Sequence, residues 1–126
     1  MKRINSDNVP KAIGPYVHAT VTENLVFTSG QLGINPKNGL LEENLEEQIN
    51  RALKNLDEVL KSSGSSLQKV VKTTVYLSNM DDFQTFNQIY AKFFNDSLSA
   101  RTAYEVAKLP MDAKVEIEAI AEIKAK

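Results

Sequence analysis

Two stretches of helical spacing, each set between β-branched runs, constrain the fold of this chain more than any other feature. Leu45, Ile49, Ala52, Leu53, Leu56, Val59 and Leu60 recur along one stripe. Asn44 and Glu47 stand before it as a capping pair, and Gly64 follows its last turn. A second helix is expected from Met80-Asp81-Asp82 to about Asn95. Its aspartates suit the positive end of the helix dipole, and Phe83, Phe86, Tyr90, Phe93 and Phe94 form one apolar stripe.

The runs around these helices read as strands. Tyr16 to Thr22 and Leu25 to Ser29 look like a hairpin turning at Glu23-Asn24, and Gly30 to Leu41, with Asn35-Pro36 and Asn38-Gly39, reads as a loop. Lys69 to Ser78, KVVKTTVYLS, is apolar on both faces, as expected of an interior strand. Ala100 to Ala107 and Lys114 to Ile123 are two more strands, joined by a Pro-containing loop. Right-handed crossovers would place both helices on one face of the sheet, leaving the other open. An open face carrying Tyr16, Tyr76 or Ile120 predicts self-association through it.

A chain of 126 residues and 14.0 kDa fits one domain, residues 1–126. Its formal charge of -1, without a basic stripe, disfavours nucleic acid as a partner. With no cysteine and one histidine, disulfides, thiolate chemistry and Cys- or His-rich metal sites are excluded, and no cofactor is expected. The N-terminus lacks an apolar signal segment and no run is long enough to span a bilayer, so a cytoplasmic protein is the expectation.

Among twelve lysines the chain has only three arginines, Arg3, Arg51 and Arg101. Arg101 lies within a strand, which points to a guanidinium fork wanted for gripping a carboxylate. Alternation puts Val115, Ile117, Ala119, Ala121 and Ile123 on one face, opposite Glu116, Glu118, Ile120 and Glu122. Arg101 and the glutamates are thereby expected on the same side of the sheet, the side without helices. A solvated face with one cross-strand ion pair accounts for the pattern as well as a catalytic site does.

Other positions are individually weaker. Asn87 is aimed into the aromatic stripe and needs a partner there, a backbone group or a ligand. Ser29-Gly30 ends a strand where the backbone can approach a ligand closely. Gly14-Pro15-Tyr16 fixes a turn before a tyrosine that packing alone can explain, and His18 reads as a surface residue.

The segments AIGPY (12–16), FTSGQL (27–32), VVKTTVYL (70–77) and FNQIY (86–90), with AR-x-x-x-EVA-x-LP-x-D-x-x-VEIEAIA from Ala100 to Ala121, resemble the RidA/YjgF family over nearly the whole chain. That resemblance implies an α/β fold like that of chorismate mutase: a mixed sheet of about six strands, two helices on one face, and a homotrimer whose sheets form a central barrel with clefts between neighbours. It implies hydrolysis of 2-imino acids and their enamine tautomers, such as 2-iminobutanoate and 2-iminopropanoate, to 2-keto acids and ammonia, without a cofactor. On matching positions, Arg101 would hold the substrate carboxylate and Glu116 would position or activate water. Tyr16, Ser29, Gly30 and Asn87 would line the cleft, and the backbone N–H of Ala103 would help bind the carboxylate. The chain departs from many relatives at Ala103, where they carry cysteine, at Ser99, where they carry proline, and at Tyr104, which replaces a smaller residue. The rival expectation is a regulatory protein that binds a small carboxylate or keto acid in the same cleft and performs no chemistry.

Overall fold

A computed structural model describes residues 1–123, and the last three residues of the expected domain lie outside the described residues. Seven strands form one sheet: β1 Lys2–Ile4, β2 Ala19–Thr22, β3 Leu25–Thr28, β4 Gln31–Leu32, β5 Val70–Leu77, β6 Ala100–Glu105 and β7 Val115–Glu122. The helices are α1 Leu45–Ser62 and α2 Phe83–Phe94. The order across the sheet is β1-β2-β3-β7-β5-β6, and β4 pairs β7 beyond the end of β3. Every pairing is antiparallel except β5 with β6, which run parallel as a strand-helix-strand unit through α2 requires.

Each helix has a local reason for its limits. The Asn44 side chain accepts a hydrogen bond from the Glu47 N–H at 2.9 Å and donates one to the Glu47 carboxylate at 2.8 Å, satisfying an otherwise unpaired first-turn donor. Gly64, at φ +85, lets the chain turn back after α1. Before α2, Met80–Asp82 forms a 3-10 turn that Asn79 caps through the Asp81 N–H, so the α-helix proper begins at Phe83.

Both helices cover the same face of the sheet, as expected. Val115, Ile117, Ala119 and Ala121 of β7 and Val75 and Leu77 of β5 are buried beneath them, with Ile49, Leu53, Leu56, Leu60, Phe86 and Phe94 above. Burying such side chains removes roughly 1.5–3 kcal/mol of hydration cost apiece, which makes this layer the main source of stability. On the opposite face Phe27 and Tyr104 remain exposed beside Tyr76 and Ile120. Tyr76 meets Tyr104 edge to face, with ring centroids 5.5 Å apart.

Four sequence expectations require correction. The expected 30–41 loop contains the two-residue strand β4, which together with the polar edge strand β1 brings the sheet to seven strands. The first hairpin strand begins at Ala19 instead of Tyr16, since Gly14, at φ +125, and Pro15 hold the chain out of the sheet. His18 is buried, not on the surface. Arg101 lies on the helix side of the sheet. Its neighbour in register is Thr73, which shares a face with Val75 and Leu77, whereas Glu116 is paired with Tyr76 on the open face.

Candidate active site

Arg101 stands near the start of edge strand β6, where α2 passes over the sheet. Its guanidinium carbon is 5.3 Å from the ring centroid of Phe83, 6.0 Å from that of Phe86 and 4.9 Å from that of Tyr90. These rings attract the cation and restrict its planar fork. One guanidinium nitrogen, Nη1, donates to Asn87 Oδ1 at 2.8 Å, and this is the partner that Asn87 lacked in sequence. Tyr90 is itself held by a buried 2.7 Å hydrogen bond between its hydroxyl and Thr73 Oγ1. Among the described residues, no carboxylate lies within ion-pair distance of Arg101. A half-buried cation with one neutral partner keeps several N–H donors free for an anionic ligand.

Ala103 follows on the same face, opposite Val75. The Val106 N–H donates to Leu77 O, so the N–H groups of alternate residues 102 and 104 also face β5. The Ala103 N–H therefore points outward along the free edge of the sheet, beside Arg101. Arg101, Asn87 and that N–H form a donor cluster suited to a carboxylate.

Glu116 belongs to a second cluster. It lies on the open face of β7, between Tyr76 of β5 and Leu32 of β4. Gly30 is packed directly against it: a Cβ on Gly30 would stand 2.6 Å from Glu116 Oε2 and 2.7 Å from Cδ. The φ of Gly30 lies outside the left-handed range, so the position needs glycine for space rather than for its dihedral freedom. Burial first, and then the nearby charge of Glu118, push the Glu116 carboxyl above its usual 4.5. Tyr76, next to it, is raised to about 12 by burial and then by Glu118 and Tyr104.

Ser29 joins this second cluster through the backbone. Its hydroxyl donates to Val17 O at 2.6 Å and its N–H donates to His18 O at 2.9 Å. Those bonds anchor the chain immediately after Tyr16, a residue 51% exposed and so open to a ligand or partner.

The expected site residues thus fall into two groups, Arg101, Asn87 and Ala103 on one, and Glu116, Gly30, Ser29 and the anchored Tyr16 on the other. Within one chain the structure does not bring Arg101 and Glu116 together; they project to opposite faces with β5 between their strands. Two surface concavities, of about 410 Å³ beside α1 and about 330 Å³ beside the Tyr16 loop, include neither residue. Sequence reasoning missed the aromatic box around Arg101. Its signal was present in Phe83, Phe86 and Tyr90 flanking Asn87, but an aromatic stripe on a helix reads first as core.

The chain is similar to known proteins over nearly its whole length. A family profile described as Endoribonuclease L-PSP matches residues 6–123. Over 121 residues the chain is 48% identical to the 2-iminobutanoate/2-iminopropanoate deaminase of Mus musculus, covering 95% of this chain and 90% of that protein. It is 47% identical over 119 residues to the chloroplastic Reactive Intermediate Deaminase A of Arabidopsis thaliana, where the match spans 94% of this chain and 64% of the plant protein. The crystal structure of E. coli TdcF with bound serine superimposes with a TM-score of 0.94 at 35% identity, over 98% of this chain and all of that one, 100%. A profile match across all but the ends, together with these identities, agrees with the motifs read from Ala12 to Ala121, and the chain belongs to the RidA/YjgF family.

Proposed function

We propose that the protein is a hydrolytic deaminase of small 2-imino acids and their enamine tautomers, with 2-iminobutanoate and 2-iminopropanoate as substrates. The observation that carries this reading is Arg101: a guanidinium fork steered by three rings and Asn87, with no carboxylate in ion-pair distance among the described residues, next to an N–H on the edge of the sheet. The relatives named as 2-iminobutanoate/2-iminopropanoate deaminases support the reaction, and serine in the TdcF structure supports a ligand of amino-acid size.

The two clusters then need each other across subunits. Two groups on opposite faces of one sheet can act on one small molecule only if a second copy supplies the missing half. The open face with Phe27, Tyr104 and Ile120 supplies apolar surface for that association, and a closed homotrimer with its sheets around a central barrel satisfies both demands. Each cleft would join Arg101, Asn87 and the Ala103 N–H of one subunit to Glu116, Gly30, Ser29 and Tyr16 of its neighbour.

In this cleft the carboxylate of the imino acid docks on Arg101, which presents the C=N carbon to a water held by Glu116. Glu116 takes a proton from the water as its oxygen adds to that carbon. It passes that proton to nitrogen, then takes the proton of the newly added hydroxyl and delivers it to the same nitrogen as the C=O bond forms and the C–N bond breaks, leaving a 2-keto acid and ammonia. The reaction balances with water alone and calls for no cofactor. A raised carboxyl suits both halves of this exchange, which is typically worth about 10²–10⁴-fold. The proposed compartment is the cytoplasm, and no helix among the described residues is long and apolar enough to cross a membrane.

The test is to generate 2-iminobutanoate in situ and follow its decay with parent protein and with Arg101→Lys. The parent should accelerate decay over buffer. The variant, which keeps the charge but loses the fork, should lose most of that acceleration. No acceleration by the parent overturns the deaminase reading and leaves a binding protein. A fully active Arg101→Lys overturns the carboxylate-fork assignment.

A further inference from the structure

We propose that His18 is a positioning residue for the Tyr16 side of this cleft, a clamp that fixes the loop carrying Tyr16 through both nitrogens of a neutral imidazole. The inference rests on the functional reading above for its kinetic consequence and on the geometry for the clamp itself. Between β1 and β2 the chain from Asn5 to His18 has neither helix nor strand, and it borders the concavity of about 330 Å³ lined by Ser6, Lys11, Tyr16 and His18, among others. Apart from Val9, which is buried in the core, this loop depends on hydrogen bonds for its position.

Those bonds converge on His18, which is only 3% exposed. The Ser6 N–H donates to its Nδ1 at 2.9 Å, so Nδ1 carries no proton. Nε2 therefore bears the proton and donates to Pro10 O at 2.8 Å. The His18 N–H donates to Asn5 Oδ1 at 3.3 Å. One ring thus ties the start and the middle of the loop to the residue where the chain re-enters the sheet. Ser6 is braced in turn, its Oγ accepting from Ser62 Oγ of α1 at 2.9 Å and from the Asn8 N–H at 3.2 Å.

From His18 the connection reaches the reacting groups. His18 O accepts from the Ser29 N–H, Ser29 precedes Gly30, and Gly30 is the surface on which the Glu116 carboxylate rests. Tyr16 stands two residues before His18; its own N–H reaches Gly14 O within the same turn, and Val17 O beside it accepts from the Ser29 hydroxyl, so the imidazole holds the loop on the other side from Ser29. A ring that makes both bonds sets where Tyr16 stands relative to Ser29 and Glu116. A side chain of the same shape without nitrogens leaves the buried Ser6 N–H unpaired and releases the loop.

The experiment compares the parent with His18→Phe and His18→Gln by steady-state imine hydrolysis, by amide hydrogen exchange and by nitrogen NMR of the parent imidazole. The parent should show a neutral ring protonated on Nε2. His18→Phe should raise KM about tenfold with kcat little changed, the size expected for one lost buried hydrogen bond, and Ser6 exchange should quicken by a similar factor while β5 and β7 keep their protection. His18→Gln, which retains an acceptor and a donor, should restore part of both. In a Tyr16→Ala background His18→Phe should add little to KM, because it acts through Tyr16. A parent imidazole protonated on Nδ1, or a folded His18→Phe with parental Ser6 exchange, overturns the clamp. Parental KM in His18→Phe overturns its positioning role. Failure of the deaminase reading would appear separately, as absent turnover in the parent, and the NMR and exchange measurements would still decide the clamp.

Discussion

Replacing Gly30 by alanine tests the placement of Glu116 with a single methyl group. The added Cβ would sit 2.6 Å from Oε2, 2.7 Å from Cδ and 3.0 Å from Cγ of Glu116, where ordinary contact begins near 3.4 Å. The carboxylate must therefore retreat by about 0.8 Å, the difference between 3.4 and 2.6 Å, and crowding at Cγ makes the whole head of the side chain swing. Alanine fits the backbone here, and the obstacle is the end of a flexible chain, so the fold should survive with a melting temperature within a few degrees of the parent, about what 1 kcal/mol shifts in a domain of this size. A misplacement of this size costs up to about 10²-fold in rate, or about 2.7 kcal/mol of barrier. Because Arg101 and its partners are untouched, the loss should fall on kcat. The assay follows 2-keto acid and ammonia from imine generated in situ, alongside a thermal melt of the same sample. Parental kcat in a folded Gly30→Ala would refute the role given to Glu116, and a loss confined to KM would refute its separation from carboxylate binding.

Three further predictions concern the two clusters and their surroundings. Glu116 must be ionised to take a proton from water, so activity should fall as pH drops through its raised value, above 4.5, and Glu118→Gln, which removes the second cause of the shift, should move that acid limb downward; an unmoved limb contradicts the coupling. The same shift has a stability sign. The fold favours protonated Glu116, a contribution fully present below 4.5 and lost as pH rises through the folded value, so Glu116→Gln should melt above the parent at neutral pH and the gap should close in acid. Tyr90→Phe leaves Thr73 Oγ1 buried without its 2.7 Å partner and frees the ring that flanks Arg101. It should cost about 1–3 kcal/mol in urea unfolding and lower kcat/KM, and unchanged stability would show that the Thr73 hydroxyl finds another partner.

Much of this architecture is legible in sequence because it follows from patterns local to one element. The alternation of Val115, Ile117, Ala119 and Ala121 against Glu116 and Glu118 matches the burial along β7, and the Asn44–Glu47 pair caps α1 as its spacing indicates. What depends on the relation between elements was not legible. Alternation assigns Arg101 and Glu116 each to a face of its own strand, but whether those faces coincide depends on registers across β5, and a shift of one residue reverses the answer. An arginine also looks misplaced among core side chains until the aromatic residues of α2 and Asn87 are seen to accommodate it. Strands β1 and β4 escaped notice because Lys2-Arg3-Ile4 and Gln31-Leu32 are too short and polar to carry a period. His18 misled for a related reason: its burial comes from a loop folding back over it, and its immediate neighbours in sequence carry no sign of that.

The central claim is that one subunit's Arg101 works with another subunit's Glu116, and subunit complementation tests it most directly. Arg101→Ala and Glu116→Gln, each nearly inactive alone, are unfolded together in equal amounts, refolded, and assayed for imine hydrolysis. In randomly mixed trimers about a quarter of the clefts would combine an intact Arg101 with an intact Glu116 from the neighbouring chain, so activity should return to about a quarter of the parent's. A mixture that assembles and stays as inactive as its components would contradict a cleft shared between subunits.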